Sequence, residues 1–159
     1  MIKNVICDLS EVIISGYHGA EEIVGQNTNI SAEEFFKRKK EMTSVFLDAM
    51  RGKYSEDEYL DCLLEGMNWD ISKEVLKKLI RQNLNVPVKG TIEIIQKLKG
   101  KYQLILLSDH VKEWMEYIAE NNTEVSIFDR QYFSYEYGKL KEDEGCFEYI
   151  LEDLRDTFK

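Results

Sequence analysis

The chain has 159 residues, 43% of them hydrophobic, and a formal net charge of −9. That length and apolar share suffice for one packed core, while the negative charge leaves no electrostatic footprint for nucleic acid or an anionic membrane surface. No apolar stretch approaches the ~20 residues of a membrane span, and Asp8 and Glu11 interrupt the apolar N-terminus, so a soluble protein without a signal peptide, in the cytoplasm, is expected.

In chain order, the run 2–7 predicts a first strand, apolar enough to sit centrally in a parallel sheet, and it delivers Asp8 at its C-terminal end. An acid there lies on the edge where an open α/β sheet does its chemistry. Glu11 reads as a first-turn acid beyond the strand. Residues from about 16 to 86 read as helix throughout. Ser31 with Glu34 forms a capping-box pattern ahead of Phe35, Phe36, Met42, Val45, Phe46 and Ala49 at helical spacing. Ser55 with Glu58 opens a second helix carrying Tyr59, Leu60, Leu63, Leu64 and Met67, and Ser72 caps a third through Val75, Leu76, Leu79 and Ile80. The only proline, Pro87, ends this block, and Gly90 precedes a helix with Ile92, Ile95 and Leu98 facing inward. The run 102–108 predicts a second buried strand ending at Ser108, followed by a helix with Val111, Trp114, Met115 and Ile118 on one face. A third strand is expected within 127–133, and a last helix carries Phe147, Ile150, Leu151, Leu154 and Phe158.

This order predicts an α/β fold: a Rossmann-like parallel sheet with an α-helical cap inserted after the first strand, the core being 1–15 and 87–159 and the cap 16–86. The right-handed crossover rule places the ends of the first two strands, Asp8 and Ser108, on the same sheet edge, where they can share a pocket. Neither strand is followed by Gly-x-Gly-x-x-Gly or Gly-x-x-x-x-Gly-Lys, so nothing supports dinucleotide or P-loop binding. The three cysteines, Cys7, Cys62 and Cys146, are odd in number and widely spaced, which argues for packed thiols. His18 and His110 lack a second ligand at metal spacing; His18 reads as a surface or cap residue, and His110 is close enough to Ser108 to line the pocket. Trp69 and Trp114 fall in helical apolar patterns and read as packing residues.

Three segments in order resemble the haloacid dehalogenase (HAD) superfamily, in particular members with a helical cap after the first motif. Ile-Cys-Asp8-Leu-Ser-Glu-Val-Ile resembles the first motif, Leu-Leu-Ser108-Asp109 the second, and the stretch from Ser134 through Gly138 and Lys141 to Glu142 and Asp143 the third. The resemblance implies Asp8 as a nucleophile that forms a covalent intermediate, Ser108 and Asp109 at the transferring group, and Lys141 neutralising both Asp8 and an incoming phosphate. It also implies Mg²⁺ bound by Asp8 and the main-chain carbonyl of Ser10. Lys139, two residues from Lys141, is the competing lysine.

Two departures accompany the resemblance. Ser10 stands where phosphatases of the family carry an aspartate that protonates the leaving oxygen, and a serine hydroxyl is a poor general acid near pH 7. A fourth motif, an acidic pair on a strand beside the first, would lie beyond Lys159. The expectation is therefore a chain that either continues past Lys159 or forms a homo-oligomer over the open edge of the first strand. Functionally, three readings follow: a phosphatase acting on a small phosphorylated metabolite through an aspartyl-phosphate at Asp8; a dehalogenase-like hydrolase using Asp8 on carbon, with Arg38, Arg51 or Arg81 as candidate carboxylate ligands; or a catalytically silent domain used for binding or regulation.

Overall fold

A computed structural model describes residues 2–156. Strand β1 (Asn4–Cys7) is followed by five helices, α1 (Ala20–Asn27), α2 (Ala32–Glu41), α3 (Thr43–Met50), α4 (Glu56–Leu64) and α5 (Lys73–Asn83). The α/β pattern then resumes with α6 (Thr91–Leu98), β2 (Gln103–Ser108), α7 (Lys112–Asn121), a 3₁₀ turn at Thr123–Ile127, β3 (Arg130–Phe133), the short α8 (Ser134–Tyr137) and α9 (Cys146–Asp156). The sheet is parallel with order β1-β2-β3, and Cys7 pairs with Leu106. It is an α/β fold with a helical insertion after the first strand. No helix among the described residues is long and apolar enough to cross a membrane.

Side-chain alternation along β2 divides the core in two. Leu104 and Leu106 face the larger cluster, which also takes Val5 and Cys7 of β1, Ile95 of α6, Trp114, Met115 and Ile118 of α7, and the inner faces of the inserted helices. Ile105 and Leu107 face the opposite side, where Cys146, Ile150 and Leu154 of α9 cover them. Full burial of each such aliphatic side chain contributes roughly 1.5–3 kcal/mol, which makes β2 the anchor of the sheet.

Several expectations are corrected here. β1 is the end strand of the described sheet, with the open edge expected above rather than the central position its apolar run suggested, and Ile6 is 41% exposed. Apolar residues on both faces of a strand do not say how many neighbours it has along the hydrogen-bonding direction. The single helix expected across 32–49 is broken at Met42, where the Thr43 hydroxyl donates to the Lys40 carbonyl at 2.8 Å and competes with the helical ladder. Ser31 makes half of its capping box, accepting only from the Glu34 N–H, whereas Ser55 and Glu58 complete theirs. On α9, Phe147 and Leu151 face outward while Cys146, Ile150 and Leu154 supply the buried stripe; Phe158 lies outside the described residues. Cys7 and Cys62 are only half-buried, and all three thiols are free.

The two ends of the insertion are tied to each other. The Ser15 N–H donates to the Val86 carbonyl at 2.7 Å, and the Val88 N–H to the Ile13 carbonyl at 2.9 Å, so entry and exit leave the sheet side by side. Inside the insertion the Glu56 side chain is almost completely buried. Its carboxylate accepts from the Arg81 guanidinium, from Lys77 Nζ at 3.2 Å, and from the indole N–H of Trp114 on α7 at 2.7 Å. One buried acid thus fastens α4 and α5 to a helix of the sheet layer.

Candidate functional site

Asp8 follows directly on β1, so its position is set by the Cys7–Leu106 register. Beyond it the chain folds back on itself: the Leu9 carbonyl accepts from the N–H groups of Ile13 at 2.9 Å and Ile14 at 3.2 Å, while Leu9, Ile13 and Ile14 are fully buried. Glu11 sits in this loop with φ 60°, a left-handed conformation uncommon outside glycine, and its carboxylate accepts from the Gly16 N–H at 2.8 Å. The first-turn role expected for Glu11 is thus replaced by a loop-closing one. Gly16 is needed there because a Cβ would lie 2.8 Å from the Ser10 Cβ. The Glu11 N–H donates to the Ile14 carbonyl, and none of these loop bonds uses the Ser10 carbonyl.

The third segment reaches back to the first. After α8, Gly138 takes a left-handed turn at φ 72°, and the Asp143 carboxylate accepts from the Leu140 N–H at 2.8 Å, closing a tight turn over 140–143. From that turn Lys141 Nζ extends to Asp8 Oδ1 at 2.6 Å, while its own N–H donates to both carboxylate oxygens of Asp109 at 3.1 Å. Asp8 Oδ1 also accepts from the Leu9 N–H at 2.7 Å. Lys139 instead donates to the Glu144 carbonyl at 3.0 Å, so of the two competing lysines it is Lys141 that meets the acid.

Ser108 ends β2, on the same edge of the sheet as Asp8 because the two strands are parallel neighbours. Its hydroxyl is completely buried and has no hydrogen-bond partner among the described residues. A buried donor without an acceptor costs about 1–3 kcal/mol, so this group is poised for an oxygen that the protein does not itself supply. Burial pushes the Asp109 carboxyl above its ordinary value, a rise that nearby Asp8 and Asp143 reinforce and Lys141 opposes. His110 is buried edge-on to Trp114, and loss of solvation lowers its imidazole to about 4, leaving it neutral near pH 7. A cavity of about 30 Å³, room for little more than a water, is lined by Ser10, Asp109, His110, Tyr17, Phe46 and Met50 among others. On the other side of Tyr17 and Phe46 opens a larger groove of about 460 Å³.

The three arginines of the inserted segment that the dehalogenase-like reading offered as carboxylate ligands are all engaged. Arg38 donates to the carbonyls of Leu63, Cys62 and Glu65; Arg81 binds Glu56; Arg51 makes a two-pronged pair with Asp143 at 2.9 and 2.8 Å. Sequence reasoning missed Asp143, Ser134 and Glu56. Ser134 and Asp143 stand at the two ends of the third resembling segment, which gave them a position but no role; Glu56 had neither.

As for a metal, no cluster of three or more histidine, cysteine or acidic side chains occurs among the described residues. What remains is a hard-oxygen set: the Asp8 carboxylate, with one oxygen held by Lys141 and Leu9, and the Ser10 carbonyl, which takes no hydrogen bond among the described residues. Mg²⁺ keeps several of its waters and is commonly held by one or two carboxylates, so these groups fit it in kind.

No family model and no curated protein matches the chain. Among solved structures it is similar to a HAD family enzyme from Bacteroides thetaiotaomicron, in complex with magnesium and inorganic phosphate, at TM-score 0.75 and 25% identity over 97% of this chain and 79% of that one. It is also similar to a HAD-like family hydrolase from Porphyromonas gingivalis, at TM-score 0.69 and 23% identity over 96% and 76% of the two chains. A third similar structure is L-2-haloacid dehalogenase from Xanthobacter autotrophicus with chloropropionic acid covalently bound, at TM-score 0.69 and 14% identity over 97% and 65%. The fold, with an acid and a lysine meeting at its sheet edge, is that of the HAD-like class. The chain belongs to the haloacid dehalogenase-like superfamily.

Proposed function

We propose that the chain is a phosphatase that removes phosphate from a small metabolite through an aspartyl-phosphate at Asp8, with the inserted helices acting as a cap. The observation that carries this reading is the Lys141 amine seated on Asp8 at 2.6 Å, with the buried Ser108 hydroxyl, unpartnered among the described residues, at the end of the neighbouring parallel strand. A phosphate oxygen satisfies that hydroxyl, and the lysine offsets the repulsion between a carboxylate nucleophile and an anionic substrate.

In the first step an Asp8 oxygen attacks phosphorus, the bond to the leaving oxygen breaks, and that oxygen takes a proton from solvent because Ser10 is too weak an acid to give one. In the second step water attacks phosphorus, its proton passes to solvent, and the acyl-phosphate P–O bond breaks to return the Asp8 carboxylate and inorganic phosphate. Mg²⁺ would be held by the Asp8 carboxylate and the Ser10 carbonyl and would supply charge neutralisation. Displacement at carbon is less well supported, since Arg38, Arg51 and Arg81 are each committed within the protein.

The test is hydrolysis of p-nitrophenyl phosphate with Mg²⁺ by the wild type and by Asp8→Asn, Lys141→Ala and Ser108→Ala. An aryl phosphate has a good leaving group and so depends least on the missing acid, which commonly contributes a factor of ~10²–10⁴. Turnover that vanishes in Asp8→Asn and exceeds that of an alkyl phosphate is expected. Turnover that survives Asp8→Asn contradicts the assignment, and none on any phosphate ester favours the silent domain.

A further inference from the structure

The contact that ties the insertion to the lysine turn has no part in the chemistry above. Arg51 follows α3 directly, and its Nε and Nη2 donate to the two oxygens of Asp143 at 2.9 and 2.8 Å. A fork of this kind fixes angle as well as distance, which a lysine cannot do. The same Asp143 oxygen that receives Nε also accepts the Leu140 N–H, so the carboxylate is held at once by the insertion and by the turn that presents Lys141. Leu140 is buried, and Lys141 is further tethered through its N–H to Asp109. Little slack remains between the guanidinium and the amine on Asp8.

A second, independent contact fixes the same junction. The Ser134 hydroxyl donates to the Met50 carbonyl at 2.6 Å and itself accepts from the His110 N–H at 3.0 Å. Gly52 takes φ 77°, and a Cβ there would lie 2.8 Å from the Tyr135 carbonyl oxygen, so the segment 50–52 is pressed against the start of α8. The end of α3 is therefore seated on the loops that carry the second and third motifs, not on solvent.

Charge adds to geometry. Asp8 holds the Lys141 amine and Asp109 its N–H, Asp143 of the same turn lies near Asp109, and Arg51 and the more distant Lys139 are the cations that act on Asp143, with Asp48 and Glu142 adding further negative charge beside Arg51. Without Arg51, Asp143 becomes an unbalanced carboxylate two residues from Lys141 and competes with Asp8 for the amine.

We propose that Arg51 is a positioning residue that, by neutralising and orienting Asp143, holds the Lys141 amine on Asp8 and thereby makes the reactive arrangement depend on the cap being seated. The proposal rests on the phosphatase reading for its kinetic arm only. A misplacement of about 1 Å in such a group can cost a factor of ~10², so Arg51→Gln is expected to lower kcat by about 10- to 100-fold with KM changed less than about threefold. Arg51→Lys, which keeps charge without the fork, falls between. In the double variant Arg51→Gln with Asp143→Asn, the asparagine oxygen still receives the Leu140 N–H while the competing charge is gone, so kcat recovers above that of Arg51→Gln alone. A residue that merely stabilised the fold would show no such recovery.

The arm that needs no turnover follows Lys141 directly, by NMR of the chain with its lysines ¹³C-methylated and the Lys141 signal assigned from Lys141→Arg. In the wild type that signal moves on Asp8→Asn; in Arg51→Gln, and more weakly in Arg51→Lys, it is expected to lie already displaced and to respond little to Asp8→Asn. A Lys141 signal in folded Arg51→Gln that matches the wild type overturns the proposal, as does a kcat within twofold of wild type. If no phosphate ester is hydrolysed, the phosphatase reading fails and the Lys141 signal alone decides.

Discussion

Replacing Glu56 with glutamine removes one negative charge from the most buried acid described, at nearly unchanged volume. Its carboxylate is 1% exposed and joins Arg81, Lys77 and the Trp114 indole, so it links two inserted helices to α7. Breaking a buried ion pair by deleting one partner costs about 3–5 kcal/mol. Two features reduce that here: the Arg81 and Lys77 side chains are 24% and 29% exposed, and Lys77 keeps its second partner, Asp57, at 2.8 Å. A loss of about 2–4 kcal/mol is therefore expected for Glu56→Gln, whose remaining oxygen still accepts the indole N–H. Glu56→Ala also strands that N–H and should cost about 1–3 kcal/mol more. Urea unfolding followed by tryptophan fluorescence measures both. A Glu56→Gln protein within about 1 kcal/mol of wild type would refute the reasoning, because it would mean that the two cations find equivalent solvation without the acid.

Two further outcomes follow from burial. The His110 imidazole is held near 4, below its ordinary 6.5. Above pH 6.5 it is neutral folded or unfolded, and between 6.5 and 4 the unfolded chain binds a proton that the folded chain does not, so this residue lowers stability as pH falls through that window. Denaturation midpoints of wild type and His110→Phe should converge toward the acid end; parallel curves would contradict the assignment. The open edge of β1, with Ile6 41% exposed and Ile2, just ahead of the strand, 74% exposed, is expected to drive concentration-dependent self-association that Ile6→Lys suppresses. Sedimentation showing a monomer at every concentration would argue otherwise.

The order of strands and helices was legible because each depends on local periodicity: Ile105 and Leu107 alternate with Leu104 and Leu106, and Trp114, Met115 and Ile118 share one helical face. The meeting of Asp8 with Lys141 was expected from the resemblance to the haloacid dehalogenase superfamily, whereas the parallel sheet by itself places only the strand ends, Asp8 and Ser108, on one edge. What the sequence concealed depends on distant partners. Glu56 stands in a first-turn acidic cluster with nothing local to mark it as buried, yet α5 and α7 close over it. Arg51 and Asp143 are separated by 92 positions, and nothing local says that an arginine ending a helix will face a turn so far along the chain. Glu11 adopts a left-handed backbone because the loop behind Asp8 must close within a few residues. β1 reads as central because its composition is apolar, but composition carries no information about what lies alongside.

The covalent role of Asp8 is tested most directly by acid-quenching the chain during turnover of an aryl phosphate with Mg²⁺ and measuring the mass of the peptide that contains Asp8. The account predicts one added phosphoryl group on that peptide, absent from Asp8→Asn and accumulating in a variant whose second step is slowed. Hydrolysis that proceeds with the Asp8 peptide unmodified at every quench time, and that persists in Asp8→Asn, would contradict it.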